Sequence, residues 1–395
     1  RLADRATIAV DIALDGAGAS GAQVRFRIPE LDIDRSVETD ADGRVSFTIA
    51  RPPSALLWSP ERPALYGVEI IAGEDVWRDR IGFRTISTDG PRILLNGKPV
   101  FLRGISLHEE ELGADPARRI TPEAARELLA LAKDGLNANF VRLAHYPHGE
   151  AMLRAADEMG LLVWSEIPVY WRIAFDDPAA LAKARGMLAE NILRDRNRAS
   201  IVLWSVGNET PLSEPRNAFM RQLVADVRAL DPGRLVTAAL LTEQERGGEH
   251  PVMVMDDPLA GALDVMAINA YNGWYGPDRL ADLPMIEWRV PQDKPLLFSE
   301  VGAGALAGWH EADLPTKFSE EYQAEYYRQT LAMLSQIPNF AGLSPWILKD
   351  FRSPRRQRPV IQDGWNRKGL VSETGDRKQA FGVLAEWYRQ RAAAD

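Results

Sequence analysis

Two apolar runs of this 395-residue chain end on glutamate: Trp204-Ser205-Val206-Gly207-Asn208-Glu209 and Phe298-Ser299-Glu300. Paired carboxylates flanking a cleft suit glycoside hydrolysis. One, protonated, delivers a proton to the leaving oxygen; the other, ionised, attacks the anomeric carbon. A third run, Trp164-Ser165-Glu166, ends on a carboxylate read as hydrogen-bonding support. Arg142-Leu143-Ala144-His145-Tyr146, Asn269-Ala270-Tyr271 and Ser344-Pro345-Trp346 end in the same polar way. Any one of these groups could be a satisfied buried residue, but several on one rim are hard to explain by folding alone.

Something must bring these ends together. From Pro91 onward, short apolar strands alternate with segments that mostly have helical periodicity. Strands are predicted over 100–106, 140–145, 161–167, 201–209, 235–241, 265–271, 296–301 and 342–348. A helix is predicted from Thr121, with a Thr cap, Pro122 in the first turn and acids near its positive end. Further helices are expected over 319–334 and 376–389. Eight strands with intervening helices imply a (β/α)8 TIM barrel, whose chemistry gathers at the C-terminal strand ends. The fourth and seventh strands lie across its mouth, so Glu209 and Glu300 would face each other, with Trp204 beside Glu209. The fifth and sixth repeats are the least clear.

Before the barrel, residues 7–14, 23–28 and 44–49 alternate in steps of two between turn residues, which predicts an immunoglobulin-like β-sandwich. The expected organisation is a sandwich over residues 1–87 and a catalytic barrel over residues 88–395. Gly16-Ala17-Gly18-Ala19-Ser20-Gly21 fits a dinucleotide-loop pattern, but a strand follows where a helix is required, so it is read as a hairpin.

Composition narrows the chemistry. Apolar residues at 46% and charged residues at 26% are ordinary globular values. A net charge of −9 leaves no basic footprint for nucleic acid. No apolar run approaches a membrane span. With no cysteine, disulfides, Cys-ligated zinc and a thiol nucleophile are excluded. His145-Tyr146-Pro147-His148 lacks a third ligand, so no metal and no cofactor is expected. Eleven tryptophans offer flat faces for sugar rings, although most tryptophan is core. No signal peptide is visible at Arg1, and the first residues already read as a strand, so the chain is read as a piece of a longer protein. The compartment stays open between the periplasm and cytoplasm of a bacterium.

Leu57-Trp58-Ser59-Pro60-Glu61-Arg62-Pro63 and Ile81-Gly82-Phe83-Arg84 resemble sandwich signatures of glycoside hydrolase family 2. Leu95-Asn96-Gly97-Lys98-Pro99-Val100 resembles the start of that family's barrel, Asn208-Glu209 its acid/base pair, and Ser299-Glu300 its nucleophile. Within the family the chain looks most like the β-glucuronidases, through Asn269-Ala270-Tyr271-Asn272-Gly273-Trp274-Tyr275 and Trp365-Asn366-Arg367-Lys368-Gly369. In that group an Asn-x-Lys motif grips the substrate carboxylate, which implies that role for Asn366 and Lys368. An arginine common four residues before the motif is Gln362 here, and the usual leading jelly-roll domain is not seen.

The expected function is a retaining exo-β-glycosidase, most like a β-glucuronidase, acting on a β-glucuronide or acidic oligosaccharide. The alternatives are a β-galactosidase, a β-galacturonidase, or an inactive carbohydrate-binding homologue. Glu209 and Glu300 are the expected catalytic pair. Arg142, His145, Asn208, Tyr271, Tyr275, Trp346, Asn366 and Lys368 are the expected substrate contacts. A homo-oligomer is expected. The segment Arg352-Ser353-Pro354-Arg355-Arg356-Gln357-Arg358 reads as a solvated loop or as a rim that attracts acidic sugars.

Overall fold

The computed structural model describes every residue except 118–119, 246, 248–249, 314 and 395. Its N-terminal part is a β-sandwich. Strand Thr7–Ala13 pairs antiparallel with Arg44–Ala50. Gln23–Ile28, Ile33–Glu38, Tyr66–Ala72 and Asp75–Ile81 form a second, four-stranded sheet. Alternation drives the packing: Ile8, Val10 and Ile12 from one sheet meet Val24, Phe26 and Val68 from the other in a shared core. The glycine run at 16–21 is not a hairpin. The strands on either side of it belong to different sheets, so it arches over the sandwich edge. Local pattern reports strands but not which strands pair.

A parallel eight-stranded barrel follows, closed by pairing of its first and last strands. Its strands are β1 (Leu102–Leu107), β2 (Phe140–Leu143), β3 (Leu162–Glu166), β4 (Ile201–Asn208), β5 (Leu235–Leu240), β6 (Met266–Asn269), β7 (Leu296–Glu300) and β8 (Phe340–Leu343). Around them lie α1 (Pro122–Ala130), α2 (Glu150–Met159), α3 (Pro178–Asp195), α4 (Glu214–Leu230), α5 (Glu320–Leu334) and α6 (Gln379–Ala394). The Thr121 hydroxyl caps α1 by accepting from Ala124 N at 3.1 Å, with Pro122 opening the helix. Two of the eight expected helices are replaced. After β5 and β6 the described residues form short 3-10 turns and a three-stranded sheet of Glu243–Glu245, Val252–Val254 and Glu287–Arg289. β8 also ends earlier than predicted, so Ser344, Pro345 and Trp346 already belong to the mouth loop.

The lower lumen is filled by Leu102, Phe140, Leu162, Trp164, Leu203 and Leu297, and closed by Ile93 and Leu95 of a hairpin before β1. The sandwich docks beside the start of β4, remote from Glu209. There Trp58 Nε1 donates to Asp157 O at 2.9 Å and Arg84 Nε to Ala199 O at 3.0 Å. No helix among the described residues is long and apolar enough to cross a membrane.

Candidate active site

Both glutamates sit where a strand gains a residue on its neighbour. Along β4 and β5 the register shifts between Ser205 and Asn208. Along β6 and β7, Ile268 pairs with Phe298 but Asn269 with Glu300. Each bulge changes which way the following side chains face. Trp204 lies before the β4 bulge and points outward, where its Nε1 donates to Asp231 at 2.9 Å; it does not wall Glu209 as the sequence suggested. Asn208 lies after the bulge and faces the lumen. Glu209 follows with φ of 50°, in the left-handed region, its N donating to Ala239 O at 2.9 Å.

The floor of the mouth is organised by Arg142. Its side chain is 0% exposed. It donates to Glu300 Oε1 at 2.8 Å, to Asn208 Oδ1 at 2.7 Å and to Glu166 at 3.2 Å. Arg142 was expected to touch the substrate; instead it lies beneath the pocket surface and holds three residues of the mouth. Glu300 is also bound by Tyr271 OH at 2.5 Å, and His145 Nε2 lies 3.6 Å away. Burial pushes the Glu300 carboxyl above its ordinary value, opposed by Arg142, His145 and the Tyr271 hydroxyl and reinforced by Glu209. Burial also opposes ionisation of Glu166, yet Arg142, His145 and Trp164 outweigh it and hold that carboxyl down at about 2.

Glu209 has different neighbours. Trp171 Nε1 donates to its Oε2 at 2.9 Å and Asn269 Nδ2 to its Oε1 at 3.0 Å, both neutral donors. Asn269 also donates to Asn208 Oδ1 at 3.0 Å and accepts from Ser299 Oγ at 2.7 Å, linking the ends of β4, β6 and β7. Sequence reasoning missed Trp171 as a site residue. The residue is 50% exposed, whereas Trp58, Trp164 and Trp204 are core.

The wall and rim come from the loops after β6 and β8. Trp346 stacks on His145 with ring centres 4.8 Å apart and planes 10° apart. Gly302 permits this approach, because a Cβ there would sit 2.3 Å from Trp346 O. Lys368 is only 3% exposed. Its ammonium donates to Tyr275 OH at 2.5 Å and lies over the Tyr271 and Tyr275 rings, at 5.2 and 4.6 Å. Asn366 Oδ1 accepts from Lys368 N at 3.1 Å. The loop is anchored below by buried Asp350, which accepts from Gly369 N at 2.8 Å and from Lys378 at 2.7 Å. Trp274, Tyr275, Gln362, Asn366 and Lys368 border a cavity of about 260 Å³. All ten expected site residues thus gather at one end of the barrel. His148, of the suspected metal pair, is buried with Nε2 3.3 Å from Ala144 O. Among the described residues, no group of three or more His, Cys, Asp or Glu is arranged to hold a metal ion.

Comparison with known proteins agrees with this architecture. The TIM barrel domain of glycosyl hydrolases family 2 matches residues 86–389, and a second model of glycosyl hydrolases family 2 matches residues 1–84. The chain belongs to glycosyl hydrolases family 2. It is similar to the β-glucuronidase of Paenibacillus borealis, 27% identical over 96% of this chain and 65% of that protein. The structure is similar to a Bifidobacterium dentium β-glucuronidase complexed with coumarin-3-O-glucuronide. The TM-score is 0.82 and the identity 26%, over 97% of this chain and 62% of that one. It is equally close to an Eisenbergiella tayi β-galacturonidase bound to galacturonate, with TM-score 0.81 and identity 26% over 97% and 69% of the two chains. The chain therefore spans about 65% of the Paenibacillus protein's length and less of the Bifidobacterium one.

Proposed function

We propose that this protein is a retaining exo-β-glycosidase that removes a terminal β-linked uronic acid, with the barrel at residues 88–395 carrying the chemistry and residues 1–87 a separate sandwich. The observation that carries the reading is the unequal setting of two carboxylates at one mouth. Glu300 is gripped by Arg142 and Tyr271, which stabilise its anion and aim it. Glu209 is held by neutral Trp171 and Asn269 donors, with no cation in ion-pair contact among the described residues. In the first step a Glu300 oxygen bonds to the anomeric carbon, the glycosidic C–O bond breaks, and the Glu209 proton passes to the leaving oxygen. In the second step water gives its proton to Glu209, its oxygen bonds to the anomeric carbon, and the Glu300 ester bond breaks. Asn208 lies beside both groups and would meet the sugar 2-hydroxyl. His145 and Trp346 would wall the ring.

Lys368 supports the uronate part of the reading. It is a buried cation at the rim, with a tyrosine hydroxyl rather than a carboxylate as its direct partner. Similarity to both a β-glucuronidase and a β-galacturonidase structure favours a uronic acid without choosing the 4-hydroxyl configuration. A panel of 4-nitrophenyl β-glucuronide, β-galacturonide, β-glucoside and β-galactoside tests it. Uronides should be turned over well ahead of both neutral sugars, and NMR of the first-formed product should show the β-anomer. Faster cleavage of a neutral hexoside, or an α-anomer formed first, would sink the corresponding half of the proposal.

A further inference from the structure

The segment between strands Phe351–Arg352 and Trp365–Asn366 is an ordered arm. Ser353 N donates to Gly364 O at 2.7 Å, Gly364 N to Arg356 O at 2.7 Å, and Gln362 N to Arg358 O at 2.9 Å. It carries Arg355, Arg356 and Arg358 over aromatic rings. Arg355 lies 5.5 Å from the centre of Trp171, Arg356 6.0 Å from Tyr275, and Arg358 5.1 Å from Phe318. Among the described residues, none of these three arginines has a carboxylate within ion-pair distance, and neither does Lys368. The chain as a whole carries a net charge of −9, so this excess of positive charge is local.

A second observation connects the arm to Glu209. Trp171 has φ of 56°, a costly setting for a bulky residue. It is held there by Trp171 N donating to Asn208 O at 3.0 Å, and the ring of this half-exposed residue bonds Glu209. The group that protonates the leaving oxygen lies on the leaving-group side. Trp171 bonds Glu209, and Arg355 lies 5.5 Å from the centre of the Trp171 ring.

We propose that Trp171 and Arg355 form a leaving-group subsite for a sugar bearing an anionic substituent, a sulfate or a carboxylate, so that the substrate carries acid on both sides of the bond that breaks. This rests on the reading of Glu209 and Glu300 given above. The test uses three disaccharides with the same β-linked uronic acid and a leaving sugar that is neutral, carboxylated or sulfated. At low salt, kcat/KM for the charged leaving groups should exceed the neutral one by about 2- to 5-fold, the upper range of an exposed charge pair. The margin should shrink as salt rises. Arg355→Gln should bring the charged-to-neutral ratio close to one, and Arg355→Lys should restore part of it. The better of the two acidic disaccharides identifies the substituent. If all three are cleaved but Arg355→Gln leaves the ratio unchanged, the subsite is overturned and the catalytic reading stands. If the wild-type protein cleaves none of them, and no simple uronide either, the underlying reading falls and the subsite with it.

Discussion

On the floor of the barrel mouth, positive and negative groups touch directly: Arg142 spans Glu166 and Glu300, and His145 backs both carboxylates. On the rim, Lys368, Arg355, Arg356 and Arg358 face aromatic rings and hydroxyls instead. A buried charge without a counter-charge is costly, and on the floor Arg142 partly offsets Glu166 and Glu300 before anything binds. An aromatic face attracts a cation without discharging it, so the rim keeps positive charge available for a ligand. In the proposed mechanism the floor carries the reaction and the rim the choice of substrate.

The largest expected effects are on the floor. Glu300→Gly should lose roughly 10⁴-fold or more of turnover, since no nucleophile remains. Azide should partly restore cleavage and give an α-glycosyl azide. Glu209→Ala should instead yield the β-azide, because Glu300 still forms the intermediate. The same azide anomer from both variants would show that the roles are misassigned. Next, Arg142→Ala should leave two buried carboxylates without their shared cation, which costs about 3–5 kcal/mol of stability. Chemical denaturation measures this, and an unchanged unfolding free energy would break the contrast between floor and rim.

Rim substitutions should act on selectivity rather than on folding. A charge-assisted hydrogen bond to a substrate carboxylate is worth about 1.5–3 kcal/mol, roughly 10- to 150-fold in kcat/KM. Lys368→Ala should lower uronide cleavage by that range and alter the matching neutral hexoside much less. Gln362 brings no charge to the cavity it shares with Lys368, which Lys317, Arg356, Arg358 and Arg367 also border. Equal losses on both substrates would mean that Lys368 supports the loop instead of reading the carboxylate.

The floor was largely legible in the sequence and the rim less so, for physical reasons. A short apolar run between helical segments is a local signal, and all eight predicted runs overlap the barrel strands, with Glu209 and Glu300 at the ends of two of them. Side-chain direction is not local. Trp204 and Asn208 are four apart and would share a face in a regular strand, but the β4 bulge turns one out and the other in. Arg142 was legible as a mouth residue, but its depth depends on how β2 is staggered against its neighbours. Trp171 was missed because it sits in an irregular loop at positive φ, where no periodicity marks it. The helices expected after β5 and β6 were missing for a related reason: their sequences lacked a clear helical period, and the space is covered by short strands and 3-10 turns instead.

The smallest predicted effect concerns the balance within the floor itself. The proposed mechanism needs Glu300 ionised, and burial raises its carboxyl above the ordinary glutamate value of 4.5. Activity should therefore be present above that raised value and lost as pH falls through it, so the acid limb of kcat/KM should lie above pH 4.5. Glu166 cannot supply this limb, since it is held near 2. The Tyr271 hydroxyl bonds the charged form of Glu300 and so lowers its pKa. Tyr271→Phe removes that bond while keeping the ring that packs beside Lys368. The acid limb should then move to still higher pH, and kcat/KM on its plateau should fall by about 2- to 10-fold, the usual worth of one hydrogen bond. A limb at or below 4.5 in the wild type would refute the raised Glu300. A limb that shifts downward in Tyr271→Phe would mean that the tyrosine does not stabilise the anion, and the account of how the floor aims its nucleophile would have to be rebuilt around Arg142 alone.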